Sequence, residues 1–194
     1  APQGDARLIL AFGDSLYAGY GVTQDQGFAP QLEQALNRAG HGVRVHNAGV
    51  SGDTTAAGLA RLAFTLDGLP KKPDLAIVGL GGNDMLRGIN PEQTRANLDA
   101  ILTQLDQRGI PAMLTGMLAP PNMGAQYASA FNPIYPALAR KHGAALYPFF
   151  LDGVVGRADL IQADHIHPTA PGIAIIVGKI APAVAAALPP VPGR

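Results

Sequence analysis

The chain has 194 residues, 47% of them hydrophobic and 14% charged, with 14 basic side chains balancing 14 acidic ones. That length suits one domain over residues 1–194 with a sizeable core, and zero formal charge removes the electrostatic case for nucleic acid or an anionic membrane. No cysteine is present, which excludes disulfides, thiolate nucleophiles and sulfur ligands to a metal.

Five short apolar runs read as strands: residues 7–12 (RLILAF), 43–48 (VRVHNA), 74–80 (DLAIVGL), 110–117 (IPAMLTGM) and 144–149 (AALYPF). Helical periodicity fills the intervals. Phe28, Leu32 and Leu36 share one face, with Gly40 as a stop. Leu98, Ile101, Leu102 and Leu105 repeat the pattern, with Asn90 as N-cap, Pro91 in the first turn and Gly109 as the end. The last stretch places Ile173, Ile176, Val177, Ile180 and Val184 on one face after a capping Thr169, and Pro182 is expected to kink or shorten it. This stretch is also the best candidate for a membrane span. It reads as too short and as broken by Lys179 and Pro182, so no stable membrane anchoring is expected. The opening APQGDA fits a periplasmic or secreted protein after removal of a leader, or a cytoplasmic one.

Strand and helix alternating five times predict an α/β fold: a flavodoxin-like parallel sheet of order 2-1-3-4-5, with helices on both faces in three α/β/α layers. Sites in such sheets gather in the loops that leave the carboxyl ends of the strands. After the first strand, Ser15 follows Gly13 and Asp14 near a helix start; it is either a helix cap or a hydroxyl held at the sheet edge. After the second, Gly52 permits close backbone approach, with Asp53 or Thr54 as a cap. After the third, Asn83 follows two glycines; it either occupies a left-handed turn or offers a neutral amide donor. GLGGND fails as a dinucleotide fingerprint, because Asp84 stands at the third glycine position. Before the last helix, Asp164 and His167 are spaced to meet, carboxylate to imidazole. Together these supply a nucleophile, a base, an orienting acid and oxyanion donors, which is what acyl transfer requires.

In FGDSL, SGDT, GGND and DHIHP, taken in this order, the chain resembles the GDSL, or SGNH, hydrolase family. NAGVSGDTTAAGLARL and GGNDMLRGINPEQTRANL are most similar to its bacterial thioesterase I, protease I or lysophospholipase L1 branch and to related arylesterases. The resemblance implies an acyl-serine mechanism acting on a small-molecule ester, with no metal and no organic cofactor. Ser15 would attack, His167 would carry the proton and Asp164 would steer it. The Ser15 and Gly52 N–H groups and the Asn83 amide would hold the oxyanion. It also implies that residues 84–89 (Asp84, Met85, Leu86 and Ile89 among them) form a mobile loop over the acyl pocket. Residues 117–124, including Leu118, Ala119, Pro120 and Met123, would line that pocket. Relatives commonly carry glycine where this chain has His165, which is expected to face solvent or the pocket rim.

The apolar run from 117 to 131, Tyr127 included, suits an acyl chain or aryl group, or else packs the loop. Deacetylation of a carbohydrate or other polar acetate is the alternative activity, and it would require a more polar pocket. A metal site on Asp164, His165 and His167 would need further ligands, whereas His41, His46 and His142 read as structural. A flavodoxin-like binding module without catalysis is the rival from outside enzymology. A monomer is expected.

Overall fold

The computed structural model describes residues 6–191; Ala1–Asp5, on which the reading of a removed leader rests, lie outside the described residues. The strands are β1 (Arg7–Gly13), β2 (Val43–Gly49), β3 (Leu75–Gly79), β4 (Ala112–Thr115) and β5 (Ala145–Tyr147). All pair in parallel, in the order β2-β1-β3-β4-β5. The expected order and all five strands are present. β5 is shorter than its apolar run, because the chain turns away at Pro148.

The helices are α1 (Ser15–Ala18), α2 (Phe28–Arg38), α3 (Thr55–Asp67), α4 (Gly82–Leu86), α5 (Pro91–Gln107), α6 (Ala125–Phe131), α7 (Ile134–His142) and α8 (Ala170–Ala187). Alternation along the strands divides the core between two faces. Ile9 and Ala11 of β1, with Leu75 and Ile77 of β3, pack under α2 and α8. Leu10 and Phe12, with Ala76 and Val78, pack under α3, α5 and α7. The sheet is therefore the middle of three layers.

Local signals set the helix ends. The Asn90 side chain caps α5 by accepting from the Glu92 N–H, and Pro91 sits in the first turn. Thr169 caps α8 through the Gly172 N–H, and Thr54, not Asp53, caps α3. Two expectations about α8 change. The helix runs through Pro182 to Ala187, since the stripe from Ile173 to Val184 is held in the core beside α2; that packing offsets the hydrogen bond a proline removes. By length and composition it is also long and apolar enough to cross a membrane, with 18 residues and a mean hydropathy of 1.7.

Candidate active site

Each of β1, β2 and β3 ends in a glycine, and the three stand in register: Gly13 opposite Gly49 on one side and Gly79 on the other. The absence of side chains there lets α1 lie directly on the strand ends. A Cβ on Gly49 would overlap the Ala18 backbone nitrogen, and a Cβ on Gly13 would fall 2.7 Å from the Tyr17 ring. Tyr17 is buried and bonded to Thr115 Oγ1 through its hydroxyl at 2.5 Å. Burial pushes that hydroxyl well above the ordinary tyrosine range, so it stays neutral. Ser15, two residues earlier, is fixed at the carboxyl edge of the sheet by this docked helix. Asp14, not Ser15, is the N-cap, accepting from the Leu16 N–H.

The base arrives from the other end of the chain. Ser15 Oγ lies 2.8 Å from His167 Nε2, and His167 Nδ1 lies 2.5 Å from Asp164 Oδ2. Asp164 Oδ1 accepts from the Ile166 and His167 N–H groups at 2.9 and 3.0 Å, closing the loop around the carboxylate. Partial burial pushes this carboxyl up, but the hydrogen bonds from the His167 backbone, its ring and Ile166 outweigh it and hold the group at about 2. Asp164 is thus ionised across the neutral range. It fixes the proton on Nδ1 and leaves Nε2 to accept from the serine.

Gly52 adopts φ 84° after β2, and Gly81 adopts φ 117° after β3, so the sharp turn before Asn83 belongs to glycine. Asn83 lies inside α4, and its Nδ2 donates to the Asp53 carbonyl at 2.9 Å. That bond orients the amide and leaves a second N–H free to serve substrate. Arg61 holds the Asp53 carboxylate at 2.6 Å and donates to the carbonyls of Gly13 and Ala48. The Gly52–Asp53 turn is thereby tied to the ends of β1 and β2. A cavity of about 430 Å³ opens over Ser15, lined also by Gly52, Asn83 and His167 and otherwise largely apolar.

A family model described as GDSL-like lipase/acylhydrolase matches residues 11–175. The chain belongs to that family. It is 43% identical to esterase TesA of Pseudomonas aeruginosa over 86% of this chain and 82% of that one. It is 38% identical to an arylesterase of Vibrio mimicus over 82% and 79%. It is also similar to a solved structure, that of AlinE4, an SGNH-hydrolase family esterase: 56% identity, TM-score 0.82, 96% and 99% coverage. Forms of that esterase with a serine or an aspartate replaced have been solved too. This GDSL-family chain is a serine hydrolase acting on ester bonds.

Of the residues expected to bind substrate in this hydrolase, Met85, Leu86, Leu118 and Pro120 do line the cavity. Asp84, Ile89, Ala119, Met123 and Tyr127 lie outside its lining. Asp84 is buried, and its oxygens accept from the Thr55 N–H and from the Thr55 and Thr94 hydroxyls. The helical turn of α4 points it inward, where it joins α3 and α5. Tyr127 donates to the Ile89 carbonyl, and the Ala119 N–H donates to Asn132; with Met123, Ala119 and Tyr127 pack against the α5–α7 side of the core. The sequence reading missed Asp14, Leu16, Tyr20, Phe149, Leu151, Val155 and Ile166 in the lining. Phe149 to Val155 carry no motif, since apolar residues in an irregular segment read equally well as packing. His165 lines the cavity, as the rim expectation required.

Proposed function

We propose that this hydrolase cleaves carboxylic esters of apolar acyl or aryl groups through an acyl-Ser15 intermediate. The observation that carries the reading is the Ser15–His167–Asp164 relay, 2.8 and 2.5 Å between partners, opening into an apolar cavity. Ser15 Oγ attacks the carbonyl carbon while its proton passes to His167 Nε2. The carbonyl oxygen becomes an oxyanion and meets the N–H groups of Ser15 and Gly52 and the free N–H of Asn83. Collapse breaks the bond to the leaving group, which takes the proton back from Nε2. Water then repeats the sequence on the acyl-serine and releases the acid. Asp164 stays ionised and balances the imidazolium in each half.

Leu16, Met85, Leu86, Met117, Leu118, Pro120 and Phe149 give the cavity the character of an acyl or aryl site. That lining does not favour polar acetates. Thioesters and lysophospholipids require the same catalytic atoms, so they belong to the same proposal as further substrates. The test is hydrolysis of p-nitrophenyl esters from acetate to laurate, with Ser15→Ala alongside. Wild type should turn over and peak beyond acetate, and Ser15→Ala should be inert. Equal rates in both proteins would remove Ser15 from the mechanism.

A further inference from the structure

His165 is the one non-glycine residue with positive φ, at 62°, among the described residues. It stands between Asp164 and His167, on the loop that carries the base. A side chain is unfavourable in this backbone region, where glycine is at ease. The conformation is imposed by its surroundings: Asp164 Oδ1 holds the two N–H groups that follow, and the His165 N–H donates to the Gln162 carbonyl at 3.0 Å. Strain retained beside a reacting centre points to a use for the side chain.

Its location supplies one. His165 lines the catalytic cavity and also a second cavity of about 480 Å³, bounded by Arg157, Ile161, Gln162 and their neighbours. It is the residue that the two linings share, and it is exposed to solvent at that junction. Chemistry decides which end of the ester meets that residue. The departing oxygen must receive its proton from His167 Nε2, so the leaving group lies toward the 164–167 loop. The carbonyl oxygen lies toward Gly52 and Asn83, and the acyl chain takes the remaining direction.

We propose that His165 is the partition on the leaving-group side of the catalytic cavity, and that it determines which alcohols and thiols this enzyme releases. With the imidazole in place, compact leaving groups fit and bulky ones meet the wall. With glycine there, the two cavities join and a bulky alcohol gains room to extend. This rests on the ester-hydrolase reading above and adds a specificity determinant to it.

The experiment uses butyrate esters of methanol, phenol and 1-naphthol with wild type, His165→Gly and His165→Asn. A common acyl group gives a common acyl-Ser15, so differences among the esters arise in acylation and are read in kcat/KM. His165→Gly should raise the naphthyl-to-methyl ratio of kcat/KM by about tenfold over wild type, the scale of discrimination one pocket contact provides. His165→Asn, which tolerates the left-handed backbone, should fall between. Neither should lower the thermal midpoint, since both residues suit the backbone better than histidine. A ratio unchanged in active His165→Gly would overturn the partition alone. Wild type inert on all three butyrates would overturn the hydrolase reading and the partition with it.

Discussion

The ring of Tyr20 lies 4.4 Å from the imidazole of His167, centroid to centroid, inclined by 38°. Tyr20 belongs to both halves of the site: its N–H donates to the Ser15 carbonyl, and its own carbonyl accepts from Gln162 Nε2. A tilted aromatic face stabilises positive charge placed on a neighbouring ring, as proton transfer from Ser15 in the proposed mechanism would place it on His167. Replacing Tyr20 with Leu should lower kcat/KM on p-nitrophenyl butyrate roughly fivefold, about 1 kcal/mol. Tyr20→Phe should retain the rate, because the ring and not the hydroxyl does the work. Equal losses in both variants would show that the contact with His167 is incidental.

Asp14 is a buried carboxyl facing the catalytic cavity. Burial raises it to about 6; the Leu16 N–H and the charge of His167 pull it back, while Asp53 adds to the rise. A raised carboxyl favours folding while protonated and opposes it once ionised. The penalty is absent below about pH 4, grows as pH rises and is complete above about 6. Asp14→Asn should therefore stabilise the fold at pH 8 by on the order of 3 kcal/mol, with the gain gone near pH 4. Urea melts at pH 4, 6 and 8 read this directly. A gain independent of pH would rule out ionisation as its source. The same variant should lose rate, since the carboxylate attracts the positive charge that His167 carries in the transition state.

Arg61 is not among the residues lining the cavity, yet through Asp53 it fixes the turn that carries Gly52 and that orients the Asn83 amide. Asn83→Ala should cost about a hundredfold in kcat, near 3 kcal/mol, for the loss of one donor. Arg61→Ala should cost less in kcat, about tenfold, but should also lower stability by roughly 2 kcal/mol, because it leaves the buried Asp53 charge without a partner. A kcat unchanged in Arg61→Ala would show that the turn keeps its geometry unaided.

Far from the site, His142 is gripped by Asp106 through Nδ1 and by Asp99 through Nε2, both at 2.6 Å, which joins α7 to α5. Burial pulls the His142 imidazole down, but the hydrogen bonds it donates to Asp106 and Asp99 outweigh it and raise its pKa. Asp99 is lowered by its bonds to Lys141 and His142. The histidine's contribution is full below its unfolded value near 6.5 and is lost as pH rises through the higher folded value. The aspartate's is present above its unfolded value near 4 and is lost as pH falls through the lower folded one. His142→Gln should therefore destabilise by on the order of 1 kcal/mol at pH 5 to 6 and by progressively less toward pH 9. Thermal midpoints across that range check it, and a constant difference would count against the ion pairs.

Ser15, Gly52, Asn83, Asp164 and His167 were legible because each sits in a short polar motif directly after a strand or before a helix cap. The sheet order followed from the alternation of elements. Asp84 misled because it adjoins Asn83 in the motif, yet one step along a helix turns a side chain by about 100°, from the cavity into the core. Tyr20 and Val155 were illegible for a different reason. Their roles depend on which distant segments face them, and no local pattern records that. Likewise Pro182 was expected to kink or shorten α8, and the helix, packed beside α2, is not shortened there but runs on to Ala187.

The hydroxyl of Ser15 and the imidazole hydrogen-bonded to it lie 152 positions apart in the chain. On a ribosome adding 5–20 residues per second, the serine precedes its base by roughly 8–30 s. By the time His167 is added, β1 to β5 and the three glycines that end β1 to β3 have been made, and until then Ser15 has no imidazole beside it. A nascent chain of this hydrolase therefore lacks the Ser15–His167 pair until the segment after β5 has been made.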